Sequence, residues 1–243
     1  MHSELVNYVR LSPNYYKGRS YNGEQRKIDT ITIHHTAGVL SIESLGADFA
    51  NPKRKASSTY GVGNDGRIAC YVEEENTAWT SSSRDNDSRA ITIEVVNSRT
   101  GEPWPVSDQA YAALIDLLVD ICKRNGIPKL LWKNDKSLIG HPDKQNMTIH
   151  RWFSATDCPG AYLLNRMGEI ADAVNARLES PVDPGMERFD TIEEIDKACP
   201  WATATVQKLI DAGALKGTDA GLDLSRDMLR LLVINDRMGC YDT

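Results

Sequence analysis

Hydrophobic and polar positions change period several times along the chain, and each change marks an element. Ile28 to Thr36 (IDTITIHHT) alternates β-branched apolar with polar residues, the pattern of a half-buried strand. Ser41 to Asn51 spaces its apolar residues as a helix does. Ser58 to Gly63 and Arg67 to Val72 flank Asn64-Asp65-Gly66, a strong turn sequence, and predict a hairpin. Ala90 to Asn97 (AITIEVVN) reads as a second clear strand. Ser107 to Asn125 predicts a long amphipathic helix, with Ser107 as N-cap, Gly126 as the stop and Pro128 beyond it. Leu138 to Gly140 reads as a short strand, followed by a long loop to Cys158. Pro159 to Leu178 then predicts one helix. Residues 1–27, polar and rich in Tyr, Asn and Gly, read as an extended lead-in. Strands interleaved with helices place residues 1–179 in the α/β class.

Ser180-Pro181-Val182-Asp183-Pro184-Gly185 is a linker by composition, so 180–187 is expected to join two domains. Residues 188–243 carry two short helical patterns, Ala202 to Ala212 and Leu224 to Asn235, with Gly213 and Gly217 between them. They predict a small α-helical C-terminal module, marginal alone and inclined to dock or oligomerise.

With 243 residues, 41% hydrophobic and 26% charged, the composition is that of a soluble globular protein. The net charge of −6 argues against nucleic acid as the main ligand, which needs a basic face. The excess is local: residues 181–243 hold 7 Lys+Arg against 12 Asp+Glu. The five cysteines (Cys70, Cys122, Cys158, Cys199, Cys240) are odd in number and lack CxxC spacing, which reads as reduced thiols. Cys199 and Cys240 are expected to be plain buried thiols, and Trp201 and Tyr241 core residues rather than sugar platforms. Met1-His2-Ser3-Glu4-Leu5 shows no basic or apolar leader and no stretch is long enough to span a membrane, so the expectation is synthesis in the cytoplasm without a signal peptide and no membrane partner.

Strand alternation separates the two adjacent histidines. Ile31, Ile33 and His35 share one face, Thr32, His34 and Thr36 the other. The apolar face belongs to the core, which leaves His34 for an open cleft. In the second strand Ile91, Ile93 and Val95 oppose Thr92 and Glu94. A mid-strand carboxylate is costly unless it is paired or works in a cleft. A neighbouring Lys or hydroxyl is the plainer partner for it. Cys158 directly precedes Pro159 at a predicted helix start, where the macrodipole favours thiolate. A thiolate with two imidazoles, His34 and His150, is a zinc ligand set that leaves a fourth position for water. An inert buried thiol and a loop histidine capping backbone are the alternatives.

The strings ITIHHTAG (31–38), SSTYGVGNDGRI (57–68), AITIEVVNS (90–98) and MTIHRWFSATDCPGAYL (147–163) resemble the zinc-dependent N-acetylmuramoyl-L-alanine amidases, the family of phage endolysins, bacterial autolysins and peptidoglycan recognition proteins. The resemblance covers about residues 25–178. It implies a central mixed β-sheet flanked by helices. It implies Zn2+ on His34, His150 and Cys158, Tyr60 lining the cleft, and Glu94 beside the zinc water. Family members commonly have Lys where this chain has Thr156, which leaves a neutral donor, and often Trp-His where it has Trp79-Thr80. His141, in Gly-His-Pro-Asp, is a rival ligand. It stands 17 residues before Cys158, whereas His150 has the family's spacing of eight, so His150 is preferred.

The implied reaction is hydrolysis of the amide between N-acetylmuramic acid and L-alanine of bacterial peptidoglycan. Glu94 would move the proton, with Tyr60 and Thr156 hydrogen-bonding the oxyanion. The implied setting is an endolysin released onto the wall for host lysis. A bacterial autolysin or recycling amidase, a non-catalytic peptidoglycan-binding protein on the same fold, and a cysteine hydrolase using Cys158 are the other readings. Inhibition by a chelator, reversed by zinc, separates the metal hydrolases from the last two. In the tail, WATATVQKLIDAGALKG and LDLSRDML look like half of an S-layer-homology repeat. Wall binding is the first expectation there, and a homodimer through Met228 to Ile234 the second.

Overall fold

A computed structural model describes residues 2–179, 188–218 and 221–241. The chain divides into two compact units, Met1–Glu179 and Ser180–Thr243. The expected linker at 180–187 lies outside the described residues.

In the larger unit the order is β1 (Val6–Val9), β2 (Tyr15–Tyr16), β3 (Ser20–Tyr21), β4 (Glu24–Gln25), β5 (Thr30–His35), α1 (Ile42–Phe49), β6 (Tyr60–Val62), β7 (Ile68–Cys70), β8 (Thr77–Ala78), α2 (Arg84–Arg89), β9 (Ala90–Val95), α3 (Asp108–Asn125), β10 (Met147–Ile149), α4 (Gly160–Leu164) and α5 (Met167–Glu179). Six of these strands form one mixed sheet in the order β1-β7-β6-β9-β5-β10, antiparallel only between β7 and β6.

The two clear strand patterns become the middle of this sheet. β5 and β9 run parallel and in register, Thr32 opposite Thr92, Ile33 opposite Ile93 and His34 opposite Glu94. Their isoleucines pack with Leu114, Leu117, Leu118 and Ile121 of α3 and with Ile170 and Val174 of α5 in one core cluster. α3 starts where Ser107 caps it, accepting from Ala110 N–H at 3.0 Å, and ends at Gly126 in the left-handed region, φ 65°. Across the sheet, Ile42, Leu45 and Phe49 of α1 cover Ala69 and Tyr71.

Three expectations are corrected. The lead-in supplies a strand of the main sheet, since β1 pairs parallel with β7 along the edge. Leu138 to Gly140 is no strand: Lys136–Leu138 is a single 3-10 turn, begun by Asp135 accepting from Ser137 N–H. The strand of that region is β10, too short to display alternation, and it is held by parallel pairing with β5. The helix expected from Pro159 to Leu178 is broken after Leu164, because Asn165 ends α4 before α5 begins.

The smaller unit contains β11 (Arg188–Phe189), α6 (Ile192–Ala198), α7 (Pro200–Asp211), β12 (Leu224–Ser225) and α8 (Arg226–Arg237), with β11 and β12 antiparallel. α6 was not anticipated. Its signal is a capping box, Thr191 accepting from Glu194 N–H while the Glu194 carboxylate accepts from Thr191 N–H. Phe189, Ile195, Val206, Leu224, Leu229 and Val233 form its own core. Trp201 is exposed rather than core, Cys240 is exposed rather than buried, and Tyr241 is half-buried, its hydroxyl accepting from Asn235 at 3.4 Å. Met228, Leu231 and Ile234 stand exposed on α8. Among the described residues, no helix is long and apolar enough to cross a membrane.

Leu114→Ala, a fully buried side chain of α3, is expected to destabilise the larger unit by about 3 kcal/mol. The check is a lower urea midpoint at an unchanged slope.

Candidate metal and catalytic site

The register of three adjacent parallel strands builds the site. His34 lies near the C-terminal end of β5, beside Glu94 on β9. β10 pairs Ile149 with Ile33, so His150, the next residue along, emerges beside His34. Alternation turns Thr32 and His34, Thr92 and Glu94, and Thr148 away from the isoleucine face. His35 points elsewhere: it hydrogen-bonds Asn97 at 3.1 Å and meets Trp104 edge-on.

Cys158 completes the group. Its sulfur is 3.4 Å from His34 Nδ1, and donor atoms of His34, His150 and Cys158 all lie within 4.8 Å of one another. The His34 and His150 ring centroids are 4.9 Å apart. Arg151 N–H donates to Cys158 O at 3.2 Å, tying the segment after β10 to the cysteine. Glu94 Oε1 stands 4.0 Å from His34 Nδ1. His141 is exposed and outside the group.

Burial sets the protonation of these groups. It holds the His34 imidazole well below its ordinary range, with the neighbouring His150 and His35 adding to the effect, and it lowers His150 as well. Both rings are therefore neutral near pH 7, with a lone pair to offer. Burial pushes the Glu94 carboxyl up to about 8, against a small pull from Arg54. The Cys158 thiol is also raised, first by burial and then by Glu94. The expected depression by a helix N-terminus is not met: burial and Glu94 raise the thiol, and α4 beside it has five residues.

Three buried atoms at this spot, His34 Nε2, His150 Nε2 and Glu94 Oε2, have no hydrogen-bond partner among the described residues. Unsatisfied buried polar atoms cost about 1–3 kcal/mol each. Their convergence with a thiol fits a two-histidine, one-cysteine zinc site with a carboxylate beside it.

Glu94, His150 and Cys158 line a cleft of about 700 Å³, whereas His34, expected in the open cleft, is fully buried beside them. Thr156 is on its wall, and its Oγ1 accepts from Cys158 N–H at 3.2 Å, leaving its own hydrogen to donate. Tyr60 is not on the wall. It lies on the isoleucine face, fully buried, with its hydroxyl donating to Glu74 at 2.5 Å and accepting from Ser3 N–H at 2.9 Å. Glu74 is held in turn by the two terminal guanidinium nitrogens of Arg124, at 2.8 and 2.7 Å. Tyr60 directly faces Ile93, and that parity turns it away from Glu94.

Sequence reasoning missed the other wall. Tyr16, Trp79 and Arg84 line the cleft together, with Tyr16 and Trp79 rings 5.1 Å apart and the Arg84 guanidinium 4.1 Å over Tyr16. β2 pairing with β8 brings Tyr16 there, and no local pattern in the lead-in announces it. Thr80, in the place where a histidine was noted as missing, turns its hydroxyl down onto Ser57 O at 2.7 Å and Thr92 Oγ1 at 2.8 Å.

Residues 24–161 match the family described as Amidase_2, N-acetylmuramoyl-L-alanine amidase. Among solved structures, a mutant of PlyL is similar at 16% identity and TM-score 0.51, covering 70% of this chain and 98% of that one. The solution structure of the PlyG catalytic domain is similar at 19% identity and TM-score 0.51, covering 74% and 99%. These likenesses speak for the fold. No curated protein matches the chain.

Two outcomes are expected. Tyr60→Phe should leave kcat within about twofold while lowering stability by about 1 kcal/mol, read by parallel assay and urea melts. In protein stripped of divalent ions, the folded Glu94 keeps a proton that the unfolded chain releases between pH 4.5 and about 8. Its contribution to stability therefore falls as pH rises through that window. Glu94→Gln should raise Tm at pH 8 and leave it nearly unchanged at pH 4.

Proposed function

Because the chain belongs to the N-acetylmuramoyl-L-alanine amidase family, we propose that it hydrolyses the amide joining N-acetylmuramic acid to L-alanine in bacterial peptidoglycan, with zinc held by His34, His150 and Cys158. The observation that carries this reading is the convergence of those three donors within 4.8 Å, with Glu94 4.0 Å from His34 and with His150, Cys158 and Glu94 on the wall of one cleft.

Zinc would supply a Lewis acid for the lactyl carbonyl and lower the pKa of the attacking water toward ~7. Glu94 takes the proton that this water loses as its oxygen bonds the carbonyl carbon, and returns it to the nitrogen as the C–N bond breaks. Water is thereby split between the two products, a carboxylic acid on the muramoyl side and a free L-alanine amine. Glu94 takes part as its carboxylate, the form that a neighbouring dication favours over the protonated carboxyl. Thr156 donates its hydroxyl hydrogen to the developing oxyanion. Tyr60 has no part in this step. Its hydroxyl is committed to Glu74 and Ser3 on the other face of the sheet.

The biological setting we propose is lysis of a host from within, the protein acting on the wall after release. A cysteine hydrolase on Cys158 is the weaker reading, because the sulfur is held protonated by burial and that chemistry leaves Glu94 unused.

The test is zinc content measured together with turbidity of purified Gram-positive walls. Wild-type protein should carry one zinc and clear the walls, releasing new L-alanine amino groups and no reducing sugar. Glu94→Ala should keep the zinc and lose roughly 10²–10⁴-fold in rate. Clearing that survives full removal of zinc would overturn the reading.

A further inference from the structure

Three triplets meet at the site: Thr32-Ile33-His34 on β5, Thr92-Ile93-Glu94 on β9 and Thr148-Ile149-His150 at the end of β10. The pairing sets Thr32 beside both Thr92 and Thr148. A row of buried hydroxyls thus lies one pleat below the three working side chains, on their own face of the sheet.

The hydroxyls divide into two networks. Thr148 Oγ1 donates to Asn86 Oδ1 at 2.9 Å, and Asn86 Nδ2 donates to Thr32 Oγ1 at 3.0 Å. With the Thr148 hydrogen committed, the 2.8 Å contact between the two hydroxyls has Thr32 donating and Thr148 accepting. The three groups form a closed ring, each donating once and accepting once within it. The second Asn86 hydrogen goes to Ser81 Oγ at 3.2 Å. Thr92 belongs to the other network. Thr80 donates to Ser57 O, so Thr92 donates to Thr80 at 2.8 Å and accepts from Thr59 N–H at 3.1 Å.

The ring matters because β10 is three residues long, pairs among the described residues only with β5, and ends one residue before His150. Short edge strands open easily. Asn86, in α2, crosslinks the side chains of β5 and β10 directly beneath the two histidines. We propose that Asn86 is a positioning residue: its ring with Thr32 and Thr148 fixes the spacing of His34 and His150, while the Thr80–Thr92 pair separately sets Glu94. The proposal rests on the zinc reading.

Zinc affinity by chelator competition tests it, with kcat and Tm on the same proteins. Thr148→Val keeps shape and removes one ring member, and it should weaken zinc binding 10–100-fold. Thr148→Ser should recover affinity to within about threefold, and Asn86→Ala should match Thr148→Val. Thr92→Val should bind zinc as wild type does and lose rate when loaded. If Asn86→Ala does not fold, the Val and Ser pair at position 148 decides. Zinc affinity unchanged in Thr148→Val, or lowered equally in Thr92→Val in step with Tm, would overturn the proposal and leave the zinc reading standing. Wild-type protein that binds no zinc would instead remove the reading itself.

Discussion

The parallel, in-register alignment of β9, β5 and β10 is the constraint on which the site depends. Parallel strands carry their C-terminal ends to one edge of a sheet, where ligand sites gather. Here the alignment brings Glu94, His34 and His150 side by side from three distant stretches of sequence. A slip of one residue in either pairing would exchange the polar and apolar faces of a strand. It would send an imidazole into the isoleucine core and an isoleucine into the cleft. Ile33, Ile93 and Ile149 therefore hold the site as firmly as the ligands do, because burying them under α3 and α5 admits one register only.

Much of this was legible in the chain. The alternation in ITIHHT separated His34 from His35, since burial of one face is written directly into period-two patterning. The cap at Ser107 and the stop at Gly126 marked α3 for the same reason, as each satisfies a local backbone requirement. What could not be read was non-local. Met147-Thr148-Ile149 is too short to show a period, and only β5 makes it a strand. The lead-in looked featureless, yet β1 closes an edge of the main sheet and Tyr16 reaches the cleft through pairing with β8. Tyr60 was drawn to the cleft by resemblance. Parity with Ile93, visible only once β6 is paired with β9, places it in the core.

The same separation of faces explains how a sheet this buried tolerates so many polar groups. Thr32, Thr92, Thr148, Asn86 and Asp87 are all buried, but their hydrogen bonds close on one another and on the 80–81 backbone. A satisfied polar layer adds rigidity, whereas a partly satisfied one destabilises. Three unsatisfied atoms gather on the level above, at His34, His150 and Glu94. Stability is given up there, where a ligand could recover it, as expected where local rules are broken for function.

Protonation carries that argument to its last step. The histidines are already in the form a cation needs, for burial keeps them neutral. Cys158 and Glu94 are displaced the other way, because the same burial disfavours their anions and Glu94 further raises the thiol. A dication among them reverses the local balance, favouring thiolate and carboxylate together. Under the proposed zinc chemistry, binding the ion is therefore coupled to release of the Cys158 proton, and the site assembles its charges only as the ion arrives. The apolar surroundings that oppose those charges are what make a single positive centre able to organise them.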